Sequence, residues 1–119
     1  MQNYQNVTIE GRATHDPVLK QTKTGKNVCT FSVAMNHYSK EGDEPRVSFI
    51  AVETWEKLAD YCSSNVTKGR RIMVAGTLRQ ERWEGQDGKN HSRIKIVGKE
   101  VRFIETVKKN DAEPQRKAS

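Results

Sequence analysis

Between Val28 and Tyr38 the chain alternates apolar and polar residues with a period of two. Cys29, Phe31, Val33 and Met35 share one side; Thr30, Ser32, Ala34, Asn36 and Tyr38 share the other. An extended strand with one buried face satisfies that pattern, whereas a helix would scatter the same residues around its circumference. The period recurs along the chain. Val7 and Ile9 lead to Gly11 as a first strand, and HDPVLK and KTGKN read as turns. KEGDEP is a loop before Val47–Thr54, where Ile50 and Val52 oppose Val47, Phe49, Ala51 and Glu53. In Arg71–Trp83, Ile72, Val74, Gly76 and Leu78 oppose Met73, Ala75, Thr77, Arg79, Glu81 and Trp83. EGQDGKN is a hairpin, and Arg93–Ile104 returns as a last strand, bent at Gly98. One helical segment interrupts the strands, from Trp55 to about Ser63. Thr54 is its expected N-cap, and Leu58, Tyr61 and Cys62 form its expected buried stripe.

Three strands, one short helix and two strands make an all-β chain with the element order of the OB-fold, a five-stranded Greek-key barrel. The strands and helix come from the periodicity; closure into a barrel is inferred from their order. The 119 residues have room for one such domain, expected over residues 1–106. Residues 107–119 have no apolar anchor and are expected to form a short flexible basic tail. With 34% hydrophobic and 30% charged residues, the core must be small and much of the surface charged. The net charge of +6 points to a polyanion as partner. The two cysteines, Cys29 and Cys62, form neither a CxxC nor a dense disulfide framework, which suits a reducing cytosol. MQNYQNVTIEG has no secretory pattern, and no apolar run approaches a membrane span, so a cytoplasmic, nucleoid-associated location without membrane contact is expected.

Large aromatics on the polar side of their strands carry the functional signal. Tyr38, Phe49 and Trp83 all oppose the aliphatic set of their own strand, and Trp55 lies outside the helix's apolar stripe. Rings on an accessible face are an aggregation liability unless they meet a ligand, and an unpaired base stacks on such a ring whatever its identity. Cations interleave with them. Lys57, Lys68, Arg79 and Arg82 are candidate phosphate contacts, with Lys23, Lys26 and Lys40 in loops.

The ordered pieces VTIEGRATHDP, TFSVAMNHY, FIAVETWEKLADY and KGRRIMVAGTLRQERWEGQDG together resemble the bacterial single-stranded DNA-binding protein family over residues 6–104. The resemblance implies base stacking on Tyr38, Phe49, Trp55 and Trp83, the four rings that parity had already selected. It also implies a homotetramer that binds single-stranded DNA in replication, recombination and repair. Family members usually end in an acidic tip closing in Pro-Phe that recruits replication and repair proteins. This chain ends EPQRKAS, so recruitment through a tail is not carried over.

Enzyme chemistry has little support. His15, His37 and His91 are scattered without metal spacing, TKTGK lacks the upstream glycine and following Ser/Thr of a phosphate loop, and Cys29 falls on an apolar face. No catalytic residue, metal or cofactor is expected. Two other readings keep the fold: a dimeric adaptor like primosomal replication protein N, and an RNA-binding OB domain, since stacking tolerates ribose.

Overall fold

The computed structural model of the chain describes residues 3–37 and 46–104. Its elements are β1 (Val7–Ala13), β2 (Val18–Gln21), β3 (Asn27–His37), β4 (Arg46–Trp55), α1 (Glu56–Asn65), β5 (Arg71–Glu84) and β6 (Asn90–Phe103). The hydrogen-bonded order is β1-β5-β6-β4-β3-β2. β1 closes the ring by pairing with two strands: Val7 to Arg12 run along β5, while Arg12 and Ala13 also face Ala34 and Val33 of β3. Four of the five ring contacts are antiparallel, and β4 with β6 is parallel. The ring expected from element order is therefore present, as an OB-type barrel.

A sixth strand stands outside it. Val18–Gln21 was expected to be part of a turn, yet it pairs with Asn27–Thr30 of β3 as β2. All four of its residues are exposed, so burial leaves no alternation for the sequence to display.

The inner residues of the strands fill the ring. Cys29, Phe31, Val33, Val52, Ile72, Val74, Ile96 and Val101 are all buried. α1 packs on β3 and β4, delivering Ala59 and Cys62 to the same cluster. Its expected stripe needs correction. Cys62 is buried and Leu58 partly so, and Ala59, outside the expected stripe, is buried as fully as Cys62. Tyr61 is exposed and leans on Phe103 with ring centroids 5.7 Å apart. Thr54 is not a cap either. It is buried in the barrel, donating through Oγ1 to the Cys29 carbonyl at 3.0 Å, and Trp55 takes the N-cap place without a side-chain cap bond. The turn into the helix is tight enough that Glu56 adopts a left-handed φ of 56°, which costs a residue with a Cβ about 1–2 kcal/mol.

Two glycines let backbones approach where the ring closes. A Cβ on Gly11 would lie 2.2 Å from the Ala34 carbonyl oxygen, and one on Gly76 would lie 2.1 Å from that of Val97. Beside Gly76 the β5–β6 register slips: Ala75 faces Glu100 and Gly76 faces Gly98, leaving Lys99 as the extra residue of a bulge. The expected bend at Gly98 is this bulge. Past Lys95, where β6 loses its β4 partner, the two strands leave the barrel as a two-stranded arm. Leu78 keeps its parity with Ile72 and Val74 but is 43% exposed, because no opposite wall remains to cover it.

Candidate nucleic-acid interface

Alternation along β4 turns Ile50, Val52 and Thr54 inward and Val47, Phe49, Ala51, Glu53 and Trp55 outward. Phe49 is 66% exposed and Trp55 37%, large values for rings on regular strands. The outer face continues onto β6, where Lys95 lies opposite Ala51. From there it continues onto β5, since Arg79 faces Lys95, Glu81 faces Arg93 and Trp83 faces His91. Phe49, Trp55 and Trp83 thus share one surface that runs from the barrel onto the arm. Trp83 is 45% exposed and held by its neighbours: His91 stacks on it at 5.6 Å with planes 20° apart, and the Arg93 guanidinium lies 6.0 Å from its centroid.

A cleft of about 420 Å³ opens between the barrel and the start of the arm, bordered by Trp55, Glu53, Lys95, Arg93, Glu81 and Lys20. Its polar groups are mutually bonded. The Trp55 indole N–H donates to Glu53 Oε1 at 3.0 Å, and Lys95 Nζ donates to Glu53 Oε2 at 2.8 Å and to Glu81 Oε2 at 3.5 Å. Arg93 Nε donates to Glu81 Oε1 at 2.9 Å. The Arg93 hydrogen bond holds the Glu81 carboxyl below the usual carboxylate range, with Lys95 adding to the effect. Phe49 has a separate depression beside it, bordered by Asn36, Arg12 and Arg71, the last paired with Glu10 at 2.5 Å.

The expected phosphate contacts are dispersed differently. Lys23 and Lys26 are exposed in the β2–β3 turn, whose Thr22 borders the cleft. Arg79 is exposed at the start of the arm, beside Tyr4 and Lys99. Arg82 has the opposite parity to Trp83, and its Nη2 donates to Gln80 Oε1 at 2.6 Å. Lys57 is exposed in the first turn of α1, and Lys68 in the loop after it, where its backbone N–H donates to Asp16 Oδ1 at 3.0 Å. Neither of these two borders the cleft that holds Trp55. Tyr38 and Lys40 lie outside the described residues.

The structure brings to the face cations that parity alone did not single out: Lys95, Arg93, Lys20 and, near Phe49, Arg12. Lys95 and Arg93 alternate with Ile94 and Ile96, so their side of the strand was readable. Their neighbours were not, because these depend on the parallel β4–β6 pairing. Among the described residues, no group of three His, Cys, Asp or Glu side chains could hold a metal ion, and no helix is long and apolar enough to cross a membrane.

Residues 4–104 match the family described as the single-strand binding protein family. The chain belongs to that family. A single-stranded DNA-binding protein of Caldanaerobacter subterraneus subsp. tengcongensis is 38% identical over 101 residues, 83% of this chain and 67% of that protein. One from Treponema pallidum is 36% identical over 109 residues, 90% of this chain and 61% of that protein. Single-stranded DNA-binding protein 1 of Clostridium acetobutylicum is 34% identical over 104 residues, 86% of this chain and 94% of that protein. The chain therefore spans about two thirds of the first two relatives and nearly all of the third. Among solved structures, Plasmodium falciparum SSB in complex with ssDNA is similar with a TM-score of 0.80 at 20% identity, covering 88% of this chain and 98% of that one. That likeness is one of fold.

Proposed function

We propose that the chain binds single-stranded DNA largely without regard to sequence, by stacking bases on Phe49, Trp55 and Trp83, with Tyr38 as a fourth ring. The observation that carries this reading is the continuous outer face on which three large rings stand exposed among arginines and lysines. Stacking on an exposed ring contributes about 1–3 kcal/mol per base and is indifferent to which base it is. Duplex DNA keeps its bases away from rings and binds weakly. Lys23, Lys26 and Arg79 accompany the rings as phosphate contacts. Lys57, Lys68, Arg82 and Lys40 belong to a longer path around the barrel. Membership of the single-strand binding protein family supports the same reading, with roles in replication, recombination and repair at the nucleoid in the cytoplasm. A homotetramer presents four such faces to one strand. The domain is residues 1–106, with 107–119 as a basic appendage.

The test is a fluorescence titration with oligo-dT at two salt concentrations, with a duplex of equal length as control. Both tryptophans lie on the proposed track, so dT quenches emission, and log affinity falls with log salt at about −0.7 per phosphate neutralised. Equal affinity for duplex and single strand, or no binding at low salt, overturns the reading. Sedimentation equilibrium at micromolar protein gives four chains per particle if the tetramer is right.

A further inference from the structure

A line of bonded charges joins the two tryptophans: Trp55 to Glu53, Glu53 to Lys95, Lys95 to Glu81, and Glu81 to Arg93, which lies beside Trp83. An interface for a polyanion gains nothing from two carboxylates on its floor if phosphates pass over them. The Lys95 and Glu53 side chains are only 12% and 15% exposed, and the Lys95 ammonium is already bonded to both carboxylates. It is not available as an ordinary phosphate contact. Phosphates approaching this floor meet Glu53 and Glu81 at close range, so the strand is best accommodated with its phosphates at the rim, near Lys20, and a base turned inward.

We propose that Glu81, with Glu53 and Lys95 behind it, reads the edge of the base lodged in this cleft and favours an amino-bearing base, cytosine above all, over thymine. The inference rests on the single-strand reading above and adds to it a local preference. The geometry is a matter of donors and acceptors. A carboxylate has about four acceptor positions, and only one bond is made to each Glu81 oxygen, so Glu81 retains acceptor capacity on its exposed side. Cytosine presents an N4 amino donor, to which a Glu carboxylate is a natural partner, with acceptors N3 and O2 beside it for the exposed guanidinium of Arg93. Thymine presents the O4 carbonyl in the same place, acceptor against acceptor. The cleft volume of about 420 Å³ lies in the range of small-ligand clefts, roughly 300–1,000 Å³. Ring stacking leaves base identity open; the floor between the rings closes that freedom at one position.

The experiment compares oligo-dC and oligo-dT of one length, at one salt concentration, on the full chain and on Glu81→Gln, with tryptophan quenching as the readout. Glutamine keeps the shape and adds an N–H₂ donor that suits thymine O4. The dC-to-dT affinity ratio therefore falls about 5-fold, the lower end for a single base-edge contact, with dC weakened and dT unchanged or tightened. An unaltered denaturation midpoint confirms that the variant is folded. If dC and dT shift by the same factor, in either direction, Glu81 acts only through its charge and the base-edge reading is overturned. If the parent chain binds neither oligonucleotide, the failure lies with single-strand binding itself and not with the preference.

Discussion

β5 is two structures in one strand. From Ile72 to Gly76 every second residue is buried in the barrel; from Leu78 to Glu84 both sides face solvent, apart from a partly covered Glu81. The first half is stabilised by apolar burial, the second by hairpin pairing and cross-strand contacts such as Trp83–His91 and Glu81–Arg93. Pairs of that kind contribute only about 0.2–1 kcal/mol each. The proposed interface draws on both halves. Phe49 and Trp55 stand on a wall backed by the core, whereas Trp83 stands on an arm held by the β5–β6 pairing alone.

The sharpest way to break this comparison is to truncate matched residues on the two halves. Ile72→Ala should destabilise the protein by about 2–5 kcal/mol in urea denaturation, because it opens a cavity in a closed core. Leu78→Ala, with the same parity on the same strand, should change stability by less than about 0.5 kcal/mol. Comparable losses would mean that Leu78 is covered in the assembled protein and that the arm is part of an interface.

Alkaline and acid pH should act on opposite halves. Burial pushes the Cys62 thiol up to about 11, outweighing the Thr54 hydrogen bond that lowers it. A raised pKa means that the folded state holds the proton longer than the unfolded chain. Stability is then full below the unfolded value, near pH 8.5–9, and declines as pH rises toward 11 by an amount on the order of 2 kcal/mol. Cys62→Ala should flatten that decline in denaturation midpoints measured from pH 8 to 11. In the arm the signs reverse. Glu81 is lowered chiefly by its Arg93 hydrogen bond, and Asp87 chiefly by the backbone N–H of Lys89, then by His91. Their contribution is present above the ordinary carboxylate range and is lost as pH falls below about 4. Neither belongs to the buried core, so the loss should appear as a local change in Trp83 emission, isolated in a Trp55→Phe background, before global unfolding.

Binding separates the halves less strongly. Trp55→Ala and Trp83→Ala should each weaken oligo-dT binding by about 1–3 kcal/mol. Trp83→Ala should leave the denaturation midpoint nearly unchanged, whereas Trp55→Ala also removes the donor to Glu53 Oε1 and should lower it slightly. A small stabilisation is expected at the first residue of α1. Glu56→Gly relieves a left-handed φ and should stabilise by up to about 1 kcal/mol, unless the glycine's own flexibility in the unfolded chain offsets it.

What was legible in the sequence follows the same division. The barrel strands announce themselves because one side of each is buried, and parity alone put Phe49 and Trp83 on the outer face. Where burial stops, parity loses its meaning: Leu78 continues the pattern without the wall that would cover it, and β2 has no buried side to reveal it. In α1 the stripe was drawn through the large residues, yet the small Ala59 is as fully buried as Cys62 where the helix packs on β3 and β4. The Glu53–Lys95–Glu81–Arg93 line was hidden for another reason. It joins three strands, and only the parallel meeting of β4 with β6 puts Glu53 beside Lys95.

The double pairing of β1 also has a consequence during synthesis. Its partners begin at Val33 on one side and Arg71 on the other, and β4 must await β6 beyond residue 90. On a ribosome adding about 5–20 residues per second, the β5 segment that pairs with the first strand therefore follows it by about 3–13 seconds. Through that interval its β5-facing edge is unpaired and exposed to every other nascent chain nearby. Its charged and glycine-bearing sequence, VTIEGRA, is poorly suited to pairing with them.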